Sequence, residues 1–343
     1  MLRALSPWLL AVALAAGGVL VGWGADRHLA TALVLHAEPF LLVLAAWAAA
    51  VAVWAGRRSY ARALVIGAVA ASLGARLPID VAPAAGVPPA WVGPVNRCAA
   101  ALKPPADPVR LLQWTLGGGE SPEFVRGVVA DAAPGVVVLH GVSDPEVVRA
   151  VLAEVGGESR FFPPEGGGIG LAIVAAGGFH PCGETLAWSE AMDTAYGYTF
   201  AFVGVPPATV FPLLVARLPG PLDGGAWSER MTAASSRVFS ALAGIQGAST
   251  VVVADAPAPR TYRTLDTRMA GVGAASVAVP PSWPARLGKV PLLTLHPFDR
   301  MWIGPIWREA ESSRAASPAG LRAPVITVLS GPEAPSVDVT PME

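Results

Sequence analysis

Few residues in this chain have the types and spacing that chemistry needs, and the carboxylates stand out among them. Asp255 follows the run Val251-Val252-Val253-Ala254, Asp299 precedes Arg300-Met301-Trp302-Ile303, and Glu120 closes the triplet Gly117-Gly118-Gly119. Carboxylates at strand ends and turns are the hard oxygen ligands that Mg²⁺ requires, and an ion so held can activate a water. A plainer reading is favoured for each. Asp255 reads as a loop carboxylate capping local N–H groups, and Asp299 as a structural hydrogen-bond acceptor or a partner of Arg300. Glu120 would have to swing in from its turn. His140 ends an apolar run and reads as a packed or edge histidine, while His180 and His296 have proline neighbours and read as loop residues. The glycine triplet lacks the lysine of a phosphate-cradling loop and reads as a turn. Trp188, Trp227, Trp283, Trp302 and Trp307 read as core or rim aromatics rather than a base-stacking platform. No Ser/His/Asp arrangement is legible from spacing.

These residues need elements to position them. Val109–Thr115 predicts a strand, and Ser121 then caps a helix with Pro122 at its first position, running to Ala132. Gly135–His140 suits a strand buried on both faces. Ser143-Asp144-Pro145-Glu146 predicts a capping box opening a helix to Val155. Strands are expected at Ile169–Ala175, Tyr198–Val205, Val210–Arg217, Thr250–Ala254, Phe298–Ile303 and Pro324–Leu329. Helices are expected at Ser228–Ala243 and Thr261–Met269. Many strands and few helices predict a four-layer α/β sandwich, two packed sheets with helices outside.

Before that domain the composition changes. Hydrophobic residues make up 53% of the 343 and charged residues 14%, and the apolar excess is concentrated in residues 1–77. Pro7–Gly24 and Pro39–Gly56 are apolar runs near membrane-spanning length, and Tyr60–Arg76 is a weaker third if Arg62 and Arg76 snorkel. A cleaved signal segment is the alternative for the first run. Pro39 is expected to start the second helix, leaving His36 and Glu38 at its edge. Arg57, Arg58 and Arg62 lie between the second and third runs, which puts them on the cytoplasmic side. Three spans then place the rest of the chain outside the cytoplasm, and two spans would keep it inside; three are favoured. The lipid bilayer is thus an expected partner. Residues 78–107 read as a Pro-rich linker, 108–331 as the globular domain and 332–343 as a disordered tail. Cys98 and Cys182 either pair outside the cytoplasm or stay free. The net charge of −1 supplies no general attraction to nucleic acid.

The ordered blocks resemble a known family. Leu111-Leu112-Gln113-Trp114-Thr115, Val136–Val142, Gly168–Val174, Leu214–Pro219, Val253–Pro259, Trp283-Pro284-Ala285 with Phe298-Asp299-Arg300, and Ala323-Pro324-Val325 are similar, in order and spacing, to the endonuclease/exonuclease/phosphatase (DNase I-like) superfamily. The anchor resembles that of its membrane-bound, YafD-like branch. The resemblance implies a metal-dependent phosphoester hydrolase, with Mg²⁺ as its cofactor. It also implies residues this chain lacks. Thr115 stands where the family has Asn, Gly141 where it has the metal-binding Glu, Leu218 where it has His, and Pro257 where Gly-Asp-x-Asn ends. Leu321 and Arg322 stand where it has the closing Asp-His pair, while Asp255 and Asp299 survive. Leu218 and Pro257 are expected to face a cleft emptied of charge, and a cleft filled by Leu218, Pro257 and Leu321 would rule hydrolysis out. The expectation is therefore a membrane-anchored pseudoenzyme that needs no cofactor and binds another envelope protein or ligand. A divergent hydrolase with Mg²⁺ held by Asp255, Glu120 and Asp299 is the alternative.

Overall fold

The computed structural model describes residues 2–24, 29–75, 107–164, 170–180, 197–207, 209–220, 229, 231, 234, 238, 250–257, 264–271, 273–282, 286–287, 290–291, 298–315 and 322–331; side chains are described over 6–21 of the first helix and, as a continuous run, over 40–54 of the second. Residues 78–106 of the linker, the tail 332–343, Cys98, Cys182, Trp188, Trp227, Trp283, His296 and Leu321 lie outside the described residues.

The N-terminal apolar runs form helices α1 (Leu2–Gly24), α2 (Leu29–Trp54) and α3 (Arg58–Ala75). Each starts earlier than its apolar run. In particular α2 begins at Leu29, so Pro39 does not open the helix and Glu38 is not at its edge. Glu38 is buried and accepts a hydrogen bond from Ser72 Oγ of α3. Small residues let α1 and α3 approach closely: a Cβ on Gly18 would strike the Ala71 backbone, and one on Gly74 would lie 2.9 Å from Val19. Among the described residues no helix is long and apolar enough to cross a membrane. Among the described residues, the large apolar side chains that stand exposed all belong to these three helices, from Trp8 and Leu9 to Trp54 and Leu73.

The domain is built from two mixed six-stranded sheets. In the first, β1 (Val109–Thr115) pairs in parallel with β2 (Val136–His140), which pairs antiparallel with β4 (Leu171–Ala175). Beyond β4 lies β3 (Glu158–Phe162); on the other side of β1 lie β14 (Val325–Ser330) and then β13 (Arg308–Arg314). The second sheet runs β5 (Phe179–His180), β6 (Gly197–Val205), β7 (Thr209–Arg217), β8 (Val251–Asp255), β12 (Asp299–Ile303) and β9 (Ala275–Ser276). A hairpin of β10 (Arg286–Leu287) and β11 (Val290–Pro291) stands apart.

Side-chain alternation along these strands sorts the core into layers. Leu111, Val138 and Ile173 of the first sheet meet Leu213, Val253 and Met301 of the second. The opposite face of the first sheet, with Leu112, Val137 and Ala172, is covered by Val125 and Val129 of α4 (Pro122–Ala132) and Val148 of α5 (Pro145–Val155). The opposite face of the second sheet, with Leu214, Val252 and Trp302, is covered by Met231, Ala234, Val238 and by Met269 of α6 (Thr264–Gly271). Helix, sheet, sheet and helix make the four layers of an α/β sandwich, an arrangement that fits the DNase I-like fold.

Local chemistry sets the helix starts. Ser121 Oγ accepts from Phe124 N ahead of Pro122, a cap worth about 1 kcal/mol. The second start differs from the expected capping box: Asp144, not Ser143, is the N-cap and accepts from Glu146 N at 2.9 Å. Its carboxylate satisfies the free Glu146 N–H, and Pro145 occupies the first helical position where no N–H is needed. The strands β3, β5, β9, β10, β11 and β13 were not expected. β3 and β13 read Glu-Ser-Arg-Phe-Phe and Arg-Glu-Ala-Glu-Ser-Ser-Arg; both are edge strands, which need no continuous apolar pattern.

Candidate functional site

Strand register brings the polar residues together. In the second sheet Arg217 ends β7 beside Asp255, which ends the parallel strand β8, and Asp255 in turn sits opposite Asp299 at the start of antiparallel β12. In the first sheet Thr115 and His140 are neighbours at the ends of β1 and β2. A hydrogen bond from Gln113 Nε2 to the Ala254 carbonyl, 2.9 Å, ties the two sheets just behind these ends. Thr115, His140, Arg217, Asp255 and Asp299 are all buried.

Asp255 is the centre of the cluster. Arg217 donates to its Oδ2 at 3.1 Å and Arg322 donates to its Oδ1. Asp255 is fully buried, and the two guanidiniums retain 10% and 16% side-chain exposure. Burial opposes the charged carboxylate, but Arg322, then Arg217, outweigh it and hold the Asp255 pKa below its ordinary value. Arg322 is itself fixed from two sides: its guanidinium lies 5.3 Å from the centre of the Phe298 ring, and its carbonyl accepts the Trp114 indole N–H at 3.2 Å. A delocalised guanidinium over an aromatic face is a favourable pairing.

Around this triad the other groups take the protonation states that burial dictates. Asp299 accepts a hydrogen bond from Ser282 Oγ, yet burial pushes its carboxyl up to about 6, with Arg322 opposing and the Asp255 charge adding to the rise. Burial pulls His140 down to about 4 despite the Asp255 charge, and Arg217 and Arg322 lower it further. His140 is therefore neutral at pH 7. Arg300 does not pair with Asp299 but lies 3.5 Å from Asp266, which also accepts the Trp302 indole N–H at 2.8 Å.

Two expectations are corrected here, for Asp255 and for a cleft emptied of charge beside Leu218, and the alternative that Glu120 swings in is not supported. Asp255 does not cap local N–H groups; both its oxygens face arginines, because register sets Arg217 beside it and the chain before β14 brings in Arg322. Leu218 does not fill a cleft: it is buried in the outer core with Phe200, Leu214 and Met231, since strand alternation turns it to the face opposite Arg217. The strand ends are therefore not emptied of charge. Glu120 does not join the aspartates. Its carboxylate accepts the N–H groups of Gly117, at 2.9 and 3.0 Å, and of Gly119, at 3.2 Å, and so closes the glycine turn. Pro257 is buried just beyond β8. Sequence reading missed Arg217 and the ionic role of Arg322. The available signal was an arginine ending the otherwise apolar strand Thr209–Arg217.

A divalent ion does not fit these residues. Gly141, where the resemblance implies a ligand Glu, has φ +78°, and a Cβ there would lie 2.5 Å from the Leu116 carbonyl oxygen. Both Asp255 oxygens are engaged by guanidiniums. Among the described residues no group of three or more His, Cys, Asp or Glu side chains could hold a metal ion.

No family model matches the chain, and no curated protein does. Solved structures are similar to it. An endonuclease/exonuclease/phosphatase from Beutenbergia cavernae is 17% identical over 65% of this chain and 72% of its own, with a TM-score of 0.49. The human Nocturnin catalytic domain with bound sulfate anion is 16% identical over 65% of this chain and 93% of its own, at 0.47. An endonuclease/exonuclease/phosphatase from Bacteroides vulgatus is 13% identical over 66% and 99%, at 0.48.

Proposed function

We propose that the chain is a membrane-anchored, non-hydrolytic member of the endonuclease/exonuclease/phosphatase superfamily that acts by binding in the bacterial cell envelope. The observation that carries this reading is the buried Arg217–Asp255–Arg322 triad. A metal-dependent hydrolase needs carboxylate oxygens open to the ion and a base beside it. Here Asp255 is neutralised by Arg217 and Arg322, Asp299 is left as a single further carboxylate, and Gly141 has no room for another. Neutral His140 keeps a proton-accepting form at pH 7, but no described carboxylate orients it. The binding partner is another envelope protein or envelope ligand, and the net charge of −1 does not favour nucleic acid.

The anchor is proposed on the surface chemistry of α1–α3. No described helix is both long and apolar enough to cross a membrane by itself, so the proposal rests on the three helices as a packed group. Helices of 23 and 26 residues at about 1.5 Å per residue match the thickness of a bilayer core in length, and α3 adds 18 residues. Their outward side chains are the exposed Trp, Leu, Val, Ile and Phe of the chain's described residues, which water would penalise and lipid would not. Contacts through Gly18, Gly67 and Gly74 are the small-residue packing that brings helices together within lipid. With Arg57, Arg58 and Arg62 in the cytoplasm, three crossings put the domain on the outer side of the inner membrane.

Two measurements test the proposal. Purified chain supplied with Mg²⁺ or Mn²⁺ is expected to hydrolyse phosphodiesters and phosphomonoesters no faster than a heat-treated control; turnover that Asp255→Ala abolishes would establish a hydrolase instead. A reporter fused after Pro108 is expected to be active only outside the cytoplasm, and a cytoplasmic signal would mean that residues 60–76 do not cross.

A further inference from the structure

We infer that Arg322 occupies the cation position of the strand-end cluster, so that a side chain of the protein supplies the positive charge a divalent ion would otherwise bring. The inference rests on the non-hydrolytic reading and goes beyond it by naming what replaced the metal. Three observations meet at Arg322. Its guanidinium contacts Asp255 Oδ1 while Arg217 takes Oδ2, so it completes the neutralisation of a carboxylate that is fully buried. Its charge also favours the ionised form of Asp299, the register partner of Asp255, although its contact is with Asp255. Finally it is held there by the Phe298 ring and by the Trp114 indole bond to its own carbonyl, so its position does not depend on the ion pair alone.

The charge arithmetic explains why substitution can be complete. Arg217 and Arg322 supply two positive charges against Asp255 and Asp299, and His140 contributes none when neutral. Removing Arg322 leaves two buried carboxylates with one cation, and an uncompensated buried charge is strongly destabilising. A small divalent cation added to that variant would meet the freed Asp255 oxygen and Asp299 together.

The test uses the full chain purified in detergent and reads melting temperature with and without excess Mn²⁺. Arg322→Ala is expected to melt lower than wild type and to recover part of the loss in a saturable, Mn²⁺-dependent way, while wild type shows no shift. Arg322→Lys, which retains a cation, is expected to melt between the two and to respond less to Mn²⁺. If Arg322→Ala fails to fold, Arg322→Leu combined with Asp255→Asn decides. The pair is expected to melt higher than Arg322→Leu alone, because the orphaned charge is gone; a pair no more stable than the single variant overturns the inference. Loss in Arg322→Ala without any Mn²⁺ recovery also overturns it, and leaves the non-hydrolytic reading intact. A saturable Mn²⁺ shift in wild type overturns the inference directly, and a parallel phosphodiesterase assay on that sample shows whether the non-hydrolytic reading falls too.

Discussion

Asp299 and His140 should oppose each other across the same pH range, and removing either one should expose the other. Asp299 titrates near 6 in the folded chain and at 3.8 when unfolded. Between those values the native state holds a proton that the unfolded state has released, so stability falls as pH rises through the folded pKa. His140 titrates near 4 when folded and at 6.5 when unfolded. There the unfolded state holds the extra proton, so stability rises with pH over almost the same window. Each shift is roughly 2 pH units, or about 3 kcal/mol at 1.36 kcal/mol per unit. The two slopes nearly cancel in the wild type. Asp255, whose pKa is depressed, adds stability present above its unfolded value of 3.8 and lost only as pH falls below it, outside this window. Urea midpoints of the purified chain measured from pH 4.5 to 6.5 provide the assay, with each variant's slope compared with that of wild type. Relative to wild type, His140→Gln is expected to lose about 2 kcal/mol as pH rises from 4.5 to 6.5, a range that takes in most but not all of the Asp299 shift. Asp299→Asn is expected to gain a similar amount over the same rise. Profiles that run parallel to wild type for both variants would refute the assigned protonation states.

Further outcomes follow from single contacts. Arg217→Met should cost about 3–5 kcal/mol in chemical denaturation, because it leaves Asp255 with half of its compensation; a change within error would mean that Arg322 alone suffices. Gly141→Glu should lower stability by about 1–3 kcal/mol from its positive φ alone, with the Leu116 clash adding to that, and should create no phosphodiesterase activity; an unchanged urea midpoint or new turnover would contradict the backbone argument. Gly18→Leu should separate α1 from α3 and destabilise the helical segment by about 1–3 kcal/mol in detergent melting, and an unaltered melt would show that the Ala71 approach is not needed.

Much of the sandwich is legible in the chain. Val136–His140 and Val251–Asp255 are short β-branched and apolar runs suited to a doubly covered strand, and Ser121-Pro122 fixes a helix start by local hydrogen bonding. Edge strands such as β13 escape this reading because a solvated face imposes no apolar period. The site is harder to read, since its contacts depend on register and tertiary approach. Arg217 and Asp255 are 38 residues apart, and Arg322 and Asp255 are 67 apart. Nothing local at Arg322 announces that its guanidinium will reach a carboxylate on the other sheet. Family resemblance drew attention to Thr115, Gly141, Leu218 and Pro257, but it gave no sign that Arg322 would reach Asp255.

The position of Arg322 in the chain has a consequence for how the domain is made. It lies three residues before β14, which inserts between β13 and β1 and so joins the last described strand of the domain to its first. Until that strand arrives, β1 lacks one neighbour and Asp255 lacks one arginine. Closure of the first sheet and neutralisation of the second sheet's buried aspartate are therefore a single late event. A chain emerging from a ribosome or a translocation pore cannot complete the sandwich from its N-terminal portion, however well the earlier hairpins form. Proteolytic trimming that reaches residue 322 would remove the final strand and the compensating charge together, turning a missing edge into a buried ionic defect in the opposite sheet.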